Sequence, residues 1–139
     1  MFKKINLQLL ISYFGLLPFL IILLDRFLLN NFNTNIIKDF VVFYSLIIFV
    51  FIGAVNWNLK KNISYKLVLL GFIPSLISVF IIIIFLYSHE VFFYLIILFI
   101  IQLIIDNFNY NEKSDRNIYF KLRIPLTSFI VLSLIFIQL

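Results

Sequence analysis

Gln102 and Asp106 lie four residues apart, and Tyr119, Arg123 and Thr127 repeat that spacing. Residues at i and i+4 are neighbours on a helix surface, so an amide and a carboxylate share one face, and a phenol, a guanidinium and a hydroxyl share another. A third face carries Gly53, Asn56, Trp57 and Lys60 at i, i+3, i+4 and i+7. A carboxylate and a guanidinium in an apolar setting seek each other, and Asp106 and Arg123 flank one loop, so pairing is the expected chemistry. Asn56, Trp57, Gln102, Asp106, Tyr119, Arg123 and Thr127 are expected to meet in one polar cluster. Its leading reading is structural glue, and a binding or catalytic pocket is the second. No catalytic residue is assigned, because no nucleophile–base pair and no metal-ligand set accompanies these groups. The sole histidine, His89, sits in Ser88-His89-Glu90 and reads as a polar turn, since a metal site needs several convergent ligands. With no cysteine there is no disulfide, thiolate metal site or thiol nucleophile, and no cofactor is implied.

The elements that must position these groups follow from composition. Of 139 residues, 64% are hydrophobic and 12% charged, and the mean hydropathy is +1.16. A soluble domain is about half apolar and about a quarter charged, so this chain has too little polar surface to cover a water-soluble globule. Runs of roughly 18 or more apolar residues cross the hydrocarbon layer as helices, which satisfy every backbone group internally. The expected fold is an all-α integral membrane protein, a single domain of five transmembrane helices. The spans run from about Ile5 to Leu24, Phe40 to Val55, Leu67 to Tyr87, Val91 to Ile105 (short for a crossing) and Ile118 to Gln138. The Ile, Phe and Val content would favour strands in water, but lipid overrides that preference.

Charge orients the spans. Lys3, Lys4, Lys60, Lys61, Lys66, Lys113, Arg116, Lys121 and Arg123 fall on one side of a five-span path, and only Arg26 and Lys38 on the other. Basic residues favour the cytoplasmic face, which puts the amino terminus inside and the carboxyl terminus outside, in a bacterial inner membrane. The polar cluster then lies near the inner surface. The net charge of +5 is this bias together with attraction to anionic lipid headgroups, not a nucleic-acid signal. The first span lacks a small-residue cleavage site after its apolar run and reads as a retained helix.

Gly-x-x-Pro-x-Leu-Ile occurs twice, at Gly15–Pro18 and Gly71–Pro74, inside spans one and three. Proline removes a helix hydrogen bond and leaves the carbonyl four residues back without its donor, while glycine admits a close neighbour. Ser12, Ser75 and Ser78 are candidate donors for the freed carbonyls. Pro125 kinks span five, and Gly53 is a close-packing position in span two. A duplicated two-helix unit would also explain the repeat, but spans two and four share almost no pattern.

In chain order, GLLPF, FIGAVNW, GFIPSL, QLIID and LRIPLT touch all five spans. In that order they resemble the small bacterial membrane family related to animal mitochondrial transmembrane protein 69, a domain-of-unknown-function family. The resemblance implies an integral membrane protein and no particular substrate or cofactor. The family pattern has a basic residue before the tryptophan and a glycine after it. Here Asn56 and Asn58 stand there, and an amide cannot titrate, which argues against proton transfer at that position.

The leading function is therefore a structural or accessory component that binds a membrane partner or forms a homo-oligomer among membrane lipids. The alternatives are a small transporter or channel subunit, or a lipid- or quinone-handling membrane enzyme.

Overall fold

A computed structural model describes residues 7–56, 64–109, 116, 117 and 119–138, with side chains from residue 10 onward. All regular secondary structure among the described residues is helical, with no strand. They contain five helical segments long and apolar enough to cross a membrane: Leu10–Leu29, Thr34–Ala54, Tyr65–Ser88, Phe92–Asn109 and Tyr119–Gln138. Four spans depart from the bounds that hydropathy alone suggests. The first continues through Asp25 and Arg26 to Leu29, the second begins at Thr34 rather than Phe40, the third runs from Tyr65 to Ser88, and the fourth reaches Asn109 and is 18 residues long. The reason is that a helix ends where its backbone finds other partners, not where its side chains turn polar.

The first span is built from α1 (Leu7–Phe14), α2 (Leu17–Leu24) and a π-helical turn, Asp25–Leu29. The interruption falls at the first Gly-x-x-Pro motif. The Gly15 N–H donates to the Ser12 carbonyl at 3.3 Å and Leu16 N–H to the Tyr13 carbonyl at 3.0 Å. These three-residue bonds tighten the chain ahead of Pro18, which sits in the first turn of α2, where its missing N–H costs least. The π turn closes with Asn30 N–H on the Asp25 carbonyl. Asn30 is left-handed at φ 50°, a conformation that asparagine tolerates better than most residues.

The chain divides into two compact units, one of residues Asp39–Leu95 and one of Met1–Lys38 with Ile96–Leu139. In the Asp39–Leu95 unit, α3 (Thr34–Ala54) and α4 (Tyr65–Ser88) lie antiparallel. Phe43 meets Phe85 edge-to-face at 5.5 Å, and at the other end Gly53 lies against Gly71 and Pro74. The buried residues of α4 are Gly71, Pro74, Ser78, Ile81 and Phe85, a 3-4-3-4 spacing that makes one narrow seam. Val41, Val42, Ser45, Leu46, Phe49, Ile52 and Gly53 are the buried residues of α3 in this unit. The small residues let the two backbones approach, as helices in lipid require, because lipid supplies no hydrophobic drive between them. A Cβ on Gly53 would fall 2.6 Å from Pro74 Cγ and 3.1 Å from the Gly71 carbonyl oxygen. Glycine is thus demanded by contact. His89 ends α4 in a left-handed conformation, its N–H on the Phe85 carbonyl at 3.0 Å, and its ring rests edge-on against Phe85.

The hydroxyls expected at the Pro74 kink act differently. Ser75 donates to the Phe72 carbonyl at 2.7 Å and Ser78 to the Pro74 carbonyl at 2.8 Å. Neither serves Leu70, whose carbonyl Pro74 deprives of its donor. Back-bonding within the same helix turn is nearer to hand for a serine than the carbonyl one turn further away.

In the other unit, the first span runs beside the last, a π-helical turn (Tyr119–Arg123) followed by α6 (Ile124–Gln138). Tyr13 reaches Lys121 near the start of both, and Phe27 meets Phe136 edge-to-face at 6.2 Å near the end of both. The two spans are therefore parallel, as an even number of turns between them requires.

Candidate functional site

The fourth span, α5 (Phe92–Asn109), buries Phe92, Leu95, Phe99, Gln102 and Asp106. This is again the 3-4-3-4 spacing of a packing seam, so Gln102 and Asp106 continue an apolar stripe as its polar end. The last span does the reverse. Its seam opens with Tyr119, Arg123 and Thr127 and continues through Ile130, Leu134 and Ile137.

The two polar ends meet. Arg123 Nε lies 3.5 Å from Asp106 Oδ2, with the side chains only 7% and 2% exposed. Gln102 Nε2 donates to the other carboxylate oxygen, Oδ1, at 3.0 Å. Asp106 thus has one partner on its own helix and one on the next. The Tyr119 hydroxyl donates to the Leu103 carbonyl at 3.1 Å, a second tie between the same two helices. Thr127 is buried one turn beyond Arg123.

The backbone that carries these groups is unusual. Tyr119–Arg123 is a π turn that ends two residues before Pro125, which lies in the first turn of α6. Pro125 has no N–H to give the Lys121 carbonyl, its ordinary partner four residues back, and a widened turn carries the chain past the break. The Lys121 carbonyl finds a donor elsewhere, in the Tyr13 hydroxyl of the first span. Three ties converge on this five-residue turn, from Asp106, from Leu103 and from Tyr13.

Asn56 belongs to the Asp39–Leu95 unit, where its side-chain amide donates to the Gly53 carbonyl at 3.2 Å. Trp57 lies outside the described residues. Gly15 is half-buried, and a Cβ there would lie 3.2 Å from the Ser12 carbonyl oxygen. Pro125, unlike Pro74, faces outward.

Two residues that sequence reasoning passed over are also committed. Asp25, 2% exposed, accepts the backbone N–H of Asn31 and of Phe32, each at 3.1 Å, one on each carboxylate oxygen. It caps the turn out of the first span. The signal was a carboxylate shortly before paired asparagines, a capping pattern hidden by placing the span end at Leu24. Tyr13 gives no such signal, because one of seven tyrosines must be matched to a carbonyl 108 residues away. Ser45 Oγ is buried with no hydrogen-bond partner among the described residues.

The family model described as Protein of unknown function (DUF3429) matches residues 6–139. Comparison with curated proteins gives no match, and neither does comparison with solved structures. The chain belongs to the DUF3429 family.

Proposed function

We propose that this DUF3429 chain is a structural or accessory component of a membrane assembly, working by helix packing rather than by turning over a substrate. One observation carries the reading: the buried charged groups of the last two spans, Asp106 and Arg123, are committed to each other. Asp106 is engaged on both oxygens, by Gln102 and Arg123. A carboxylate held in this way is a strut, since a group that must bind and release a ligand gains nothing from saturation by its own chain.

The outward surface of the spans supports the same reading. Side chains such as Ile47, Phe51, Phe80, Leu86 and Phe93 are more than 60% exposed. They offer dispersion contact to acyl chains or to another helix, and no chemistry. The nine-to-two distribution of basic residues supports an amino terminus in the cytoplasm and a carboxyl terminus outside, in a bacterial inner membrane. The unbroken family match over residues 6–139 supports one transmembrane domain. The motif order argues for kinship with mitochondrial transmembrane protein 69. Asn56, Trp57, Gln102, Asp106, Tyr119, Arg123 and Thr127 would brace the inner ends of the spans.

Native mass spectrometry of the tagged chain, taken from its own membrane in lipid nanodiscs, tests the proposal. A stoichiometric second protein is the expected result. A homo-oligomer carrying a defined lipid, quinone or solute, lost on Asp106→Asn or Arg123→Gln, would overturn it in favour of a transporter or enzyme.

A further inference from the structure

The Tyr13–Lys121 hydrogen bond joins two places where helices are interrupted. On the first span, α1 and α2 are separated at Gly15 and Leu16, where three-residue bonds replace the regular ladder. On the last span, the π turn Tyr119–Arg123 precedes Pro125. A break in the ladder is where a helix bends at least cost, and here each break has a named cause, glycine with proline in one span and proline with a π turn in the other. α1 is one side of the first break, and its tyrosine is seated on the second.

We infer that Tyr13 is the latch of a hinge, in which α1 pivots at Gly15–Leu16 and is held closed by its phenol on the carbonyl that Pro125 leaves without a donor. The chemistry favours a latch over an ordinary contact. A main-chain carbonyl short of its helical donor rewards whichever donor reaches it. Tyr13 is only half-buried, so its hydroxyl regains hydrogen bonds to headgroups or water when released. The closed state is therefore preferred by about one net hydrogen bond, a margin small enough to be reversible. The latch also seats on the turn that carries Tyr119 and Arg123, so opening loosens the segment through which the Asp106 pair is held. α1 thereby becomes the movable element of this unit, and a second protein or a lipid that takes the phenol would open it.

Amide exchange of the full chain in nanodiscs, followed by mass spectrometry, reads the open population directly. Tyr13→Phe keeps the ring and removes the donor. Exchange in Leu7–Phe14 and Tyr119–Arg123 should quicken about fivefold, the equivalent of about 1 kcal/mol, while Tyr65–Ser88 is unchanged. On a Pro125→Ala background the restored N–H supplies the Lys121 carbonyl, and Tyr13→Phe should then change exchange by less than about twofold. Unchanged exchange in Tyr13→Phe, equal acceleration on both backgrounds, or acceleration that extends to Tyr65–Ser88 would each overturn the latch.

Discussion

Asp106 is the residue on which the arrangement of the last two spans turns. Its carboxylate is nearly inaccessible and is satisfied by a cation on one oxygen and an amide on the other. Removing one member of such a pair leaves the other charge buried and uncompensated, which costs more than the pair itself contributes. Asp106→Asn and Arg123→Gln are each expected to cost about 3 kcal/mol in detergent-solubilised protein. The double substitution should cost clearly less than the sum, because the second change removes the charge that the first stranded. Strict additivity in thermal unfolding would show that the two residues do not interact. That Gln102 and Asp106 share one face and Tyr119, Arg123 and Thr127 another was legible, because a period of 3.6 residues fixes which side chains share a face. Asp25 was not, since its role depends on where the backbone turns after Leu29.

At the scale of elements, the antiparallel pair of α3 and α4 depends on one close approach. The Gly53 backbone fills the space beside the Pro74 ring, which cannot rotate away as a flexible side chain would. Gly53→Ala should therefore destabilise by about 1–3 kcal/mol, the usual range for overpacking. Helix propensity works in the opposite direction, since alanine is the better helix former by about 1 kcal/mol. The contact wins because 2.6 Å is far inside van der Waals distance. On a Pro74→Ala background the same substitution should be close to neutral or stabilising, as read by thermal unfolding. An equal penalty on both backgrounds would mean that the ring is not what Gly53 accommodates. The second Gly-x-x-Pro repeat thus has a packing partner, and the first has a different task, breaking the first span into α1 and α2. A shared motif did not carry a shared environment.

At the scale of the whole molecule, five apolar helices and the charge distribution make a topology that can be measured. A reporter fused after Leu139 should be active only outside the cytoplasm, and one fused between Lys60 and Lys66 only inside. A cytoplasmic signal after Leu139 would reverse the orientation or remove a span. The parallel course of the first and last spans agrees with an odd number of crossings: a chain with four would return its last span antiparallel to its first.

The sequence by itself determined that the chain carries five helices long and apolar enough to cross a membrane, and which polar residues share a face. These are local or additive properties: hydropathy sums along the chain, and helical period needs no knowledge of neighbours. Only the tertiary structure decided which carbonyl Tyr13 serves, which backbone lies beside Gly53, and that Asp25 closes a turn. Each of these joins a donor or a surface to a partner that many other residues could equally have supplied, and spacing along one helix says nothing about which other helix, at what depth, lies against it.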